Sequence, residues 1–213
     1  MSELTALTET ASKRRLGDAI ALPGELATAD RSAAAAFVAE RPSQRFVAKA
    51  SGIAHKTDGN LVRLGLSAAE VAACFDELAA AGDGTVVVAE FVDAETELLV
   101  GGVRDKQFGP VITIGAGGIA AEAAPDVVAI LAPPQPGEVA EALARLRIAP
   151  LLAGWRGSVP LDTDAFAALV TAVAAQFDDP AVVEVEVNPV AVVAGRPIVL
   201  DALVVLADPG VTP

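Results

Sequence analysis

The segment His55-Lys-Thr-Asp58 holds side chains that could bind and transfer phosphate. A neutral imidazole can act as a base, a ligand or a phosphoryl acceptor, and Lys56 would favour an anionic neighbour. His55 is the only histidine in the chain, which excludes a zinc site built on several histidines. The alternative is a loop histidine that hydrogen-bonds a backbone carbonyl. Taken alone, the segment leaves both interpretations open.

A lysine stands at the end of the apolar stretch that precedes this segment. The stretch 46–50 predicts a short strand, and Lys49 lies next to its last residue. An ammonium there would lie at the mouth of a cleft, where it could hold a phosphate as a point charge. The alternative is a surface lysine whose stem lies along apolar surface while its charge stays in water.

Acidic and amide side chains alternate along the stretch Glu184-Val-Glu186-Val-Asn188. In a strand, Glu184 and Glu186 would share one face, and Asn188 would continue on it. A turn at 194–196 would fold the next strand back and bring Asp201 near Asn188. A carboxylate and an amide oxygen together suit Mg²⁺ that carries a nucleotide. An ordinary solvent-facing strand has the same pattern.

The stretch Ile114-Gly-Ala-Gly-Gly118, followed by Glu122, is rich in glycine. Glycines let backbone N–H groups approach a phosphate or a neighbouring loop. A plain turn is the alternative.

The elements that must position these residues follow from apolar periodicity and from turn signals. Predicted helices cover 30–40, 67–82, 138–147 and 164–177. Predicted strands cover 46–50, 61–66, 85–92, 97–103, 111–114, 127–131, 181–187, 190–193 and 198–206. Strands that are neighbours in sequence favour antiparallel pairing, so we expect an α+β protein. We expect two lobes, 1–93 and 94–213, with a ligand cleft at their junction.

Composition limits the classes of function. The 213 residues carry a net charge of −13, which repels phosphate polyanions and argues against nucleic-acid binding. Residues 1–13 lack the apolar core of a signal peptide, and polar residues or prolines interrupt each apolar stretch well short of a membrane span. We therefore expect a cytoplasmic protein that makes no membrane contact.

Taken in order, these stretches resemble the ATP-grasp domain of NDP-forming acyl-CoA synthetases, a family related to the β-subunit of succinyl-CoA synthetase. Each motif is weak alone, but the ordered set is specific and covers roughly residues 3–206. The set comprises Lys49, 55–58, Glu90, 97–101, 104–110, 115–118 with Glu122, 151–157, and 186–189 with Asp201.

The resemblance implies an ATP-grasp fold, in which two α+β lobes enclose a nucleotide cleft. Lys49 would contact the phosphates of ATP, with Lys56 as a second cation. Glu90 and Asp93 would lie at the hinge strand that holds adenine, and Glu97 would hold the ribose.

The resemblance also implies a metal site and a phosphate relay. Asn188 and Asp201 would bind Mg²⁺, and Glu186 beside them would steer a phosphorylated loop. His55 would pass phosphate between a phosphohistidine on a partner subunit and the nucleotide. The reaction would convert a carboxylic acid, CoA and ATP into acyl-CoA, ADP and phosphate.

Three departures from the family pattern bear on this expectation. Gly59-Asn60-Leu61 stands where two glycines usually follow the histidine motif, and Ile130 stands where an arginine is usual. The sequence also contains no CoA-binding Rossmann domain and no second ligase domain. We therefore expect a separate CoA-binding α-subunit, which would bind most of the carboxylic acid and CoA, in a hetero-oligomer.

Two other functions remain as alternatives. A degenerate ATP-grasp module would bind nucleotide or stabilise a partner subunit without catalysis, and the changed residues at 59–61 and 130 favour it. Retention of the lysine, histidine, acidic and amide residues of the motifs argues against it. A carboxylate–amine ligase is disfavoured because such enzymes carry their own acyl-phosphate site and have no use for the His55 motif.

Overall fold

The computed structural model describes residues 4–53, 61–118 and 125–207. The described chain divides into two compact units. The seven-stranded unit contains residues 4–7, Ala11–Ala21 and the described residues from Asp93 onward. The four-stranded unit contains Thr8–Thr10 and the described residues of Leu22–Val92. The predicted phosphate segment, with His55 and Lys56, lies outside the described residues.

The strands and helices are numbered in chain order. The strands are β1 (Leu4–Ala6), β2 (Glu25–Thr28), β3 (Phe46–Ala50), β4 (Val62–Leu66), β5 (Val86–Glu90), β6 (Thr96–Asp105), β7 (Gly109–Ala116), β8 (Val127–Leu131), β9 (Val182–Val193), β10 (Arg196–Val199) and β11 (Ala202–Ala207). The helices are α1 (Glu9–Leu16), α2 (Arg31–Ala39), α3 (Ala68–Ala81), α4 (Glu138–Ala144), α5 (Ala149–Leu152) and α6 (Thr163–Ala175). No helix among these residues is long and apolar enough to cross a membrane.

The four-stranded unit is an antiparallel sheet in the order β2-β5-β3-β4, with α2 and α3 packed against it. Its helices begin at polar caps, as the sequence predicts. The Asp30 carboxylate accepts the Ser32 N–H at 2.7 Å, and the Glu70 carboxylate accepts the Ser67 N–H at 2.8 Å. The helices bury their apolar residues against the strands in one core: Ala34, Val38, Phe46, Val71, Phe75, Leu78, Val86 and Val88.

The seven-stranded unit is an antiparallel sheet in the order β1-β11-β9-β6-β7-β8, with β10 also paired to β9. The strand β9 is one continuous element, whereas the sequence predicted two pieces. β1 pairs with β11, so the start of the described chain belongs to this unit and not to a lobe of residues 1–93. No sequence pattern predicted β1, α1 or β2, because these elements are short or lack apolar periodicity.

The two faces of the larger sheet differ. One face is covered by α4 and α6, and its residues form a core that includes Val100, Ile112, Ile114, Val185 and Val187. The side chains of the opposite face are exposed or half-buried, and we call this the open face. It comprises Leu99, Gly101, Val103, Val111, Thr113, Ala129, Leu131, Glu184, Glu186, Asn188, Asp201 and Leu203.

Two adjacent glycines of β6 provide a test of this assignment, because they lie on opposite faces. A Cβ at Gly102 would stand 2.6 Å from Cε2 of Phe177, whereas a Cβ at Gly101 would meet nothing nearer than Cβ of Thr113 at 3.9 Å. We expect Gly102→Ala to lower the free energy of unfolding by about 1–3 kcal/mol, because it overpacks the covered face. Gly101→Ala is the matched control and should change it by less than about 0.5 kcal/mol.

Urea denaturation of the two variants and the parent measures this difference. Equal losses at the two positions would mean that the faces are assigned wrongly.

Candidate functional site

The structure brings two of the predicted metal ligands together on the open face. β10 and β11 pair with β9 in the same register from Arg196, opposite Val193, to Val205, opposite Glu184, and the Leu200 N–H donates to the Pro189 carbonyl at 3.0 Å. This register puts Asp201 directly opposite Asn188. Residues directly opposite in an antiparallel pair have their Cβ atoms about 4.5–5.5 Å apart. We infer from the register on either side that the side chains of Asn188 and Asp201 lie close together.

A β-bulge lies at this position. Asn188 and Pro189 of β9 together oppose the single residue Leu99 of β6. A bulge increases the local twist and re-aims the bulged side chain, and bulges are frequent next to functional sites. The amide group of Asn188 donates from Nδ2 to Oε1 of Glu186 at 3.1 Å, which leaves the amide oxygen to face away from Glu186.

The donor set fits Mg²⁺. Mg²⁺ takes oxygen ligands and usually combines one or two protein groups with water and the phosphate oxygens of a substrate. The carboxylate of Asp201 and the amide oxygen of Asn188 are such groups, and Glu186 is exposed beside them. Glu184 continues the same face further along β9 and is also exposed. The acids of β9 thus lie on the same face as the amide of Asn188 and the carboxylate of Asp201, which directly precedes β11.

Glu97 lies on the same face of β6, two residues before Leu99, and contacts the glycine-rich segment. The Gly117 N–H donates to the Glu97 carbonyl at 2.8 Å. A Cβ at Gly117 would collide with the Leu98 carbonyl, and a Cβ at Gly118 would collide with the Glu97 carboxylate. Gly117 therefore leaves no room for a side chain beside the β6 backbone, and Gly118 has a φ of 67°, which favours glycine. Glu122 lies outside the described residues.

The predicted phosphate lysine, Lys49, is buried in β3 of the four-stranded unit. It is 8% exposed, and its Nζ donates to Oε1 of Glu9 at 2.8 Å. This placement excludes the surface-lysine interpretation. It also differs from the prediction of an ammonium open at a cleft mouth, because a carboxylate already contacts it. No spacing rule connects residues so distant in sequence, so sequence reasoning missed Glu9.

Glu90 also lies in the four-stranded unit, at the end of β5. Its Oε1 accepts a hydrogen bond from Nε of Arg41 at 3.0 Å, and its carboxylate lies against Gly24. The backbone N–H of Glu90 donates to the Gly24 carbonyl at 2.8 Å. Asp93 is exposed and lies between β5 and β6, at the sequence break between the two units.

The isoleucine that replaces the usual arginine lies on the covered face. Ile130 is 7% exposed, is paired with Ile112 and belongs to the core under the helices. The substitution therefore removes no cation from the open face that carries Asn188 and Asp201. The other departure, at 59–61, falls largely outside the described residues.

The motif at 151–157 forms the end of α5 and a 3₁₀ turn, Trp155–Gly157. Gly154, Arg156 and Gly157 have φ angles of 92°, 56° and 90°, so the chain turns sharply through left-handed conformations. Trp155 is exposed beside a pocket of about 230 Å³ that Leu151 also lines.

The chain matches the model of a known family. The ATP-grasp domain family matches residues 2–206, which is almost the whole chain. The chain belongs to the ATP-grasp family. Its α+β fold, with two antiparallel sheets and flanking helices, agrees with that of the family, as the sequence predicted.

Several curated relatives are named ADP-forming ligases. The chain is 34% identical over 165 residues to acetate–CoA ligase (ADP-forming) I of Archaeoglobus fulgidus, covering 73% of this chain and 24% of that protein. It is 31% identical over 122 residues to the β-subunit of acetate–CoA ligase (ADP-forming) I of Pyrococcus furiosus, covering 57% of this chain and 53% of that subunit. The chain therefore spans about half, or less, of these relatives.

A solved structure matches nearly end to end. The dinucleotide-forming acetyl-coenzyme A synthetase 1 of Candidatus Korarchaeum cryptofilum, in complex with coenzyme A, Ca-AMPCP and HgCl⁺, superposes with a TM-score of 0.82 at 26% identity. The match covers 94% of this chain and 93% of that chain. Another structure of that enzyme, with a TM-score of 0.76 at 26% identity over 94% of this chain and 92% of that chain, contains coenzyme A and Mg-AMPPCP, with its phosphohistidine segment pointing towards the nucleotide binding site.

A buried aspartate, Asp126, follows the glycine-rich segment in sequence and hydrogen-bonds the backbone of neighbouring segments. Asp126 is 9% exposed; its Oδ1 accepts the Arg147 N–H at 2.9 Å and its Oδ2 accepts the Ile148 N–H at 3.0 Å. Burial raises the pKa of Asp126, but the two backbone N–H groups and the Arg147 guanidinium outweigh burial and hold the pKa below its usual range. The Asp126 carbonyl also accepts the Ala116 N–H at 2.9 Å, so this residue joins three segments.

Asp126→Asn should lower the free energy of unfolding by about 2 kcal/mol at neutral pH. The two N–H groups bond to different carboxylate oxygens, and asparagine has only one oxygen, so one N–H group loses its acceptor. The pKa is lower in the folded chain than in the unfolded chain, so the stabilisation is present above the unfolded value of about 3.9 and is lost as pH falls through the folded value. Urea denaturation between pH 7 and pH 3 measures the free energies of unfolding of the parent and of Asp126→Asn. The difference between them should shrink as the pH falls.

Asp105→Asn is the matched control. Asp105 accepts the N–H groups of Gln107 and Phe108 through one oxygen, Oδ1, at 2.8 Å each, and the amide oxygen of asparagine can keep both. A loss at neutral pH as large for Asp105→Asn as for Asp126→Asn would contradict the two-oxygen explanation.

Proposed function

We propose that this chain is the nucleotide-binding part of an ADP-forming acyl-CoA synthetase. The proposed reaction converts a carboxylic acid, CoA and ATP into acyl-CoA, ADP and phosphate, and it would take place in the cytoplasm. The observation that carries the proposal is the juxtaposition of Asn188 and Asp201 on the open face, with Glu186 hydrogen-bonded to Asn188. Membership of the ATP-grasp family supports a nucleotide as the ligand of these groups.

The proposed metal ligands lie on the open face. Asn188 and Asp201 would hold Mg²⁺, which would neutralise the phosphate charge of ATP when bound. Glu186 would keep the Asn188 amide oriented through the hydrogen bond at 3.1 Å. Its exposed carboxylate would also steer the phosphorylated loop of a partner. An oxygen pair fixed by strand register needs little rearrangement on metal binding, which favours affinity.

The remaining nucleotide contacts are assigned by the family pattern. Lys49 would contact the phosphates as a point charge, with Lys56 as a second cation. Glu97 would hold the ribose, and its carboxylate lies against Gly118 of the glycine-rich segment. Glu90 and Asp93 would hold adenine; for Glu90, this requires that its carboxylate serve the nucleotide while it is paired with Arg41.

The transfer itself would use His55. Phosphoryl transfer depends mainly on charge neutralisation and in-line placement, and a histidine nucleophile divides a long transfer into shorter ones. His55 would accept the phosphoryl group from the nucleotide and pass it to a histidine on the partner, and the steps reverse for ATP synthesis. The named phosphohistidine segment of the Korarchaeum enzyme supports this type of relay.

The partner would be a CoA-binding α-subunit or a further segment of the enzyme. The chain spans 53% of a relative that is named a β-subunit and 24% of a longer ligase, so both arrangements occur among the relatives. In either arrangement, the acid and CoA would bind mainly outside the described chain.

A degenerate nucleotide-binding module is the second candidate. The observation that favours it is that Lys49 and Glu90, two expected nucleotide contacts, already form ion pairs with Glu9 and Arg41. An assay of ADP release, with the partner and a panel of carboxylic acids present, separates the two candidate functions. A synthetase subunit would release ADP, whereas a degenerate module would bind Mg-ATP without turnover.

Asp201→Ala should weaken Mg-ATP binding by about tenfold or more, because it removes a charged metal ligand. Isothermal titration calorimetry of Mg-ATP measures the change. Glu184→Ala is the control, since Glu184 is an exposed acid on the same face but further along β9. Unchanged affinity in Asp201→Ala, or an equal loss in Glu184→Ala, would remove Asp201 from the metal site.

His55→Ala should abolish net acyl-CoA formation in the reconstituted complex and leave Mg-ATP affinity near that of the parent. The reason is that the relay needs the imidazole as a phosphoryl acceptor, whereas binding depends on the cation and metal contacts. Formation of acyl-CoA from the acid, CoA and ATP is the measurement. Full activity in the variant would end the relay hypothesis.

A further inference from the structure

A carboxylate outside every motif of the sequence lies against the phosphate lysine. Glu9 is the first residue of α1, and its Oε1 accepts a hydrogen bond from Nζ of Lys49 at 2.8 Å. Both residues belong to the four-stranded unit. The side chains are 2% and 10% exposed, respectively, so the ion pair is shielded from water.

The burial of this pair distinguishes it from a surface contact. Exposed ion pairs between flexible side chains contribute little, because water competes and both side chains lose freedom. A buried pair is different, since removal of one partner leaves an uncompensated charge in the interior. Other ion pairs of the unit are more exposed: Arg31 with Asp76 is 54% and 72% exposed, and Arg63 with Glu77 is 22% and 67% exposed.

The geometry suits a positioning role. Lysine has a flexible four-carbon stem, and a ligand that binds a mobile ammonium must bear the cost of ordering it. The hydrogen bond that Lys49 donates to Glu9 holds the end of that stem before a ligand arrives. An ammonium has three N–H donors, so one bond to Glu9 does not by itself prevent contact with a phosphate oxygen.

We propose that Glu9 is a positioning residue, which holds the ammonium of Lys49 in place to receive a nucleotide phosphate. The inference rests on the proposed function, because it assumes that Lys49 contacts the phosphates. Glu9 acts through Lys49 and does not touch the nucleotide. The opposite effect, in which the Glu9 carboxylate competes with the phosphate for the ammonium, is an outcome of the test.

The test measures the binding of two ligands to the 213-residue chain. Mg-ATP affinity is measured by calorimetry at fixed ionic strength, and adenosine binding by ligand-observed NMR. The variants are Glu9→Met, Glu9→Gln, Lys49→Met and the double variant Glu9→Met/Lys49→Met. Glu40→Gln, which removes an exposed acid from the same unit, controls for the change in net charge.

We expect Glu9→Met to weaken Mg-ATP binding by about tenfold, the value of one hydrogen bond to a charged group. Glu9→Gln keeps an acceptor and should lose about threefold, on the same basis. Adenosine binding should stay within about twofold, because adenosine has no phosphate for Lys49 to contact. In the Lys49→Met background, Glu9→Met should add no further loss, since a residue that acts only through Lys49 has no effect without it.

Several results would overturn the inference. Tighter Mg-ATP binding by Glu9→Gln would show competition, and an equal loss for Mg-ATP and adenosine would show a purely structural role. A loss that persists in the Lys49→Met background would show that Glu9 acts on something else. If Glu9→Met does not fold, the double variant, which replaces a buried ion pair by an apolar pair, and Glu9→Gln decide the question.

The proposed function fails in a different way. If the parent chain itself does not bind Mg-ATP, or if Lys49→Met binds it as tightly as the parent, the phosphate role of Lys49 is wrong and the positioning role falls with it. If the parent binds Mg-ATP, Lys49→Met weakens that binding and Glu9→Met does not, only the positioning role is wrong.

Discussion

The hydrogen-bond register of β9 is the constraint on which the candidate site depends. β9 pairs with β6 on one side and with β10 and β11 on the other, so its position is fixed from both edges. The bulge at Asn188 and Pro189 shifts the register against β6 but not against the other two strands. A shift of one residue against β11 would turn Asp201 away from Asn188 and bury acids of β9 in the core. The proposed metal-ligand pair is therefore specified by the apolar residues of β9 as much as by the polar ones.

The four-stranded unit meets a different constraint, the cost of placing charge in its interior. Lys49 and Glu9 are each largely removed from water, and each compensates the other. A buried lysine without an acidic neighbour would be strongly disfavoured. The ammonium of Lys49 is thus kept inside the unit with a counter-charge, which Glu9 at the start of α1 supplies.

The sequence predicted most of the fold because its signals were local. The strand 46–50 and the strand 127–131 agree with β3 and β8 residue for residue, and the capping residues Ser67 and Glu70 mark the start of α3. The segments that it missed carry weak local signals. β1 has three residues, and α1 reads Glu-Thr-Ala-Ser-Lys-Arg-Arg-Leu, with no apolar face to detect. Only their tertiary contacts define them.

The candidate site was predictable where its signals were local. Alternation along β9 and a turn before β10 were enough to expect Asp201 near Asn188. The contact of Glu97 with Gly118 and the pairing of Lys49 with Glu9 were not predictable, because each joins residues that no periodicity relates. The arginine-to-isoleucine change at Ile130 also needed the fold for its interpretation, since only the sheet shows that this side chain faces the helices.

The pairing of β1 with β11 has a consequence for the order of folding during synthesis. Leu4 is paired with Ala207, so the outer part of the larger sheet joins residues from opposite ends of the described chain. That contact cannot form until the ribosome has released the late strand, and contacts of such long sequence separation form slowly. The smaller sheet uses strands that lie close together in sequence. The smaller sheet can therefore be complete while β1 is still unpaired, because β11 has not yet been synthesised.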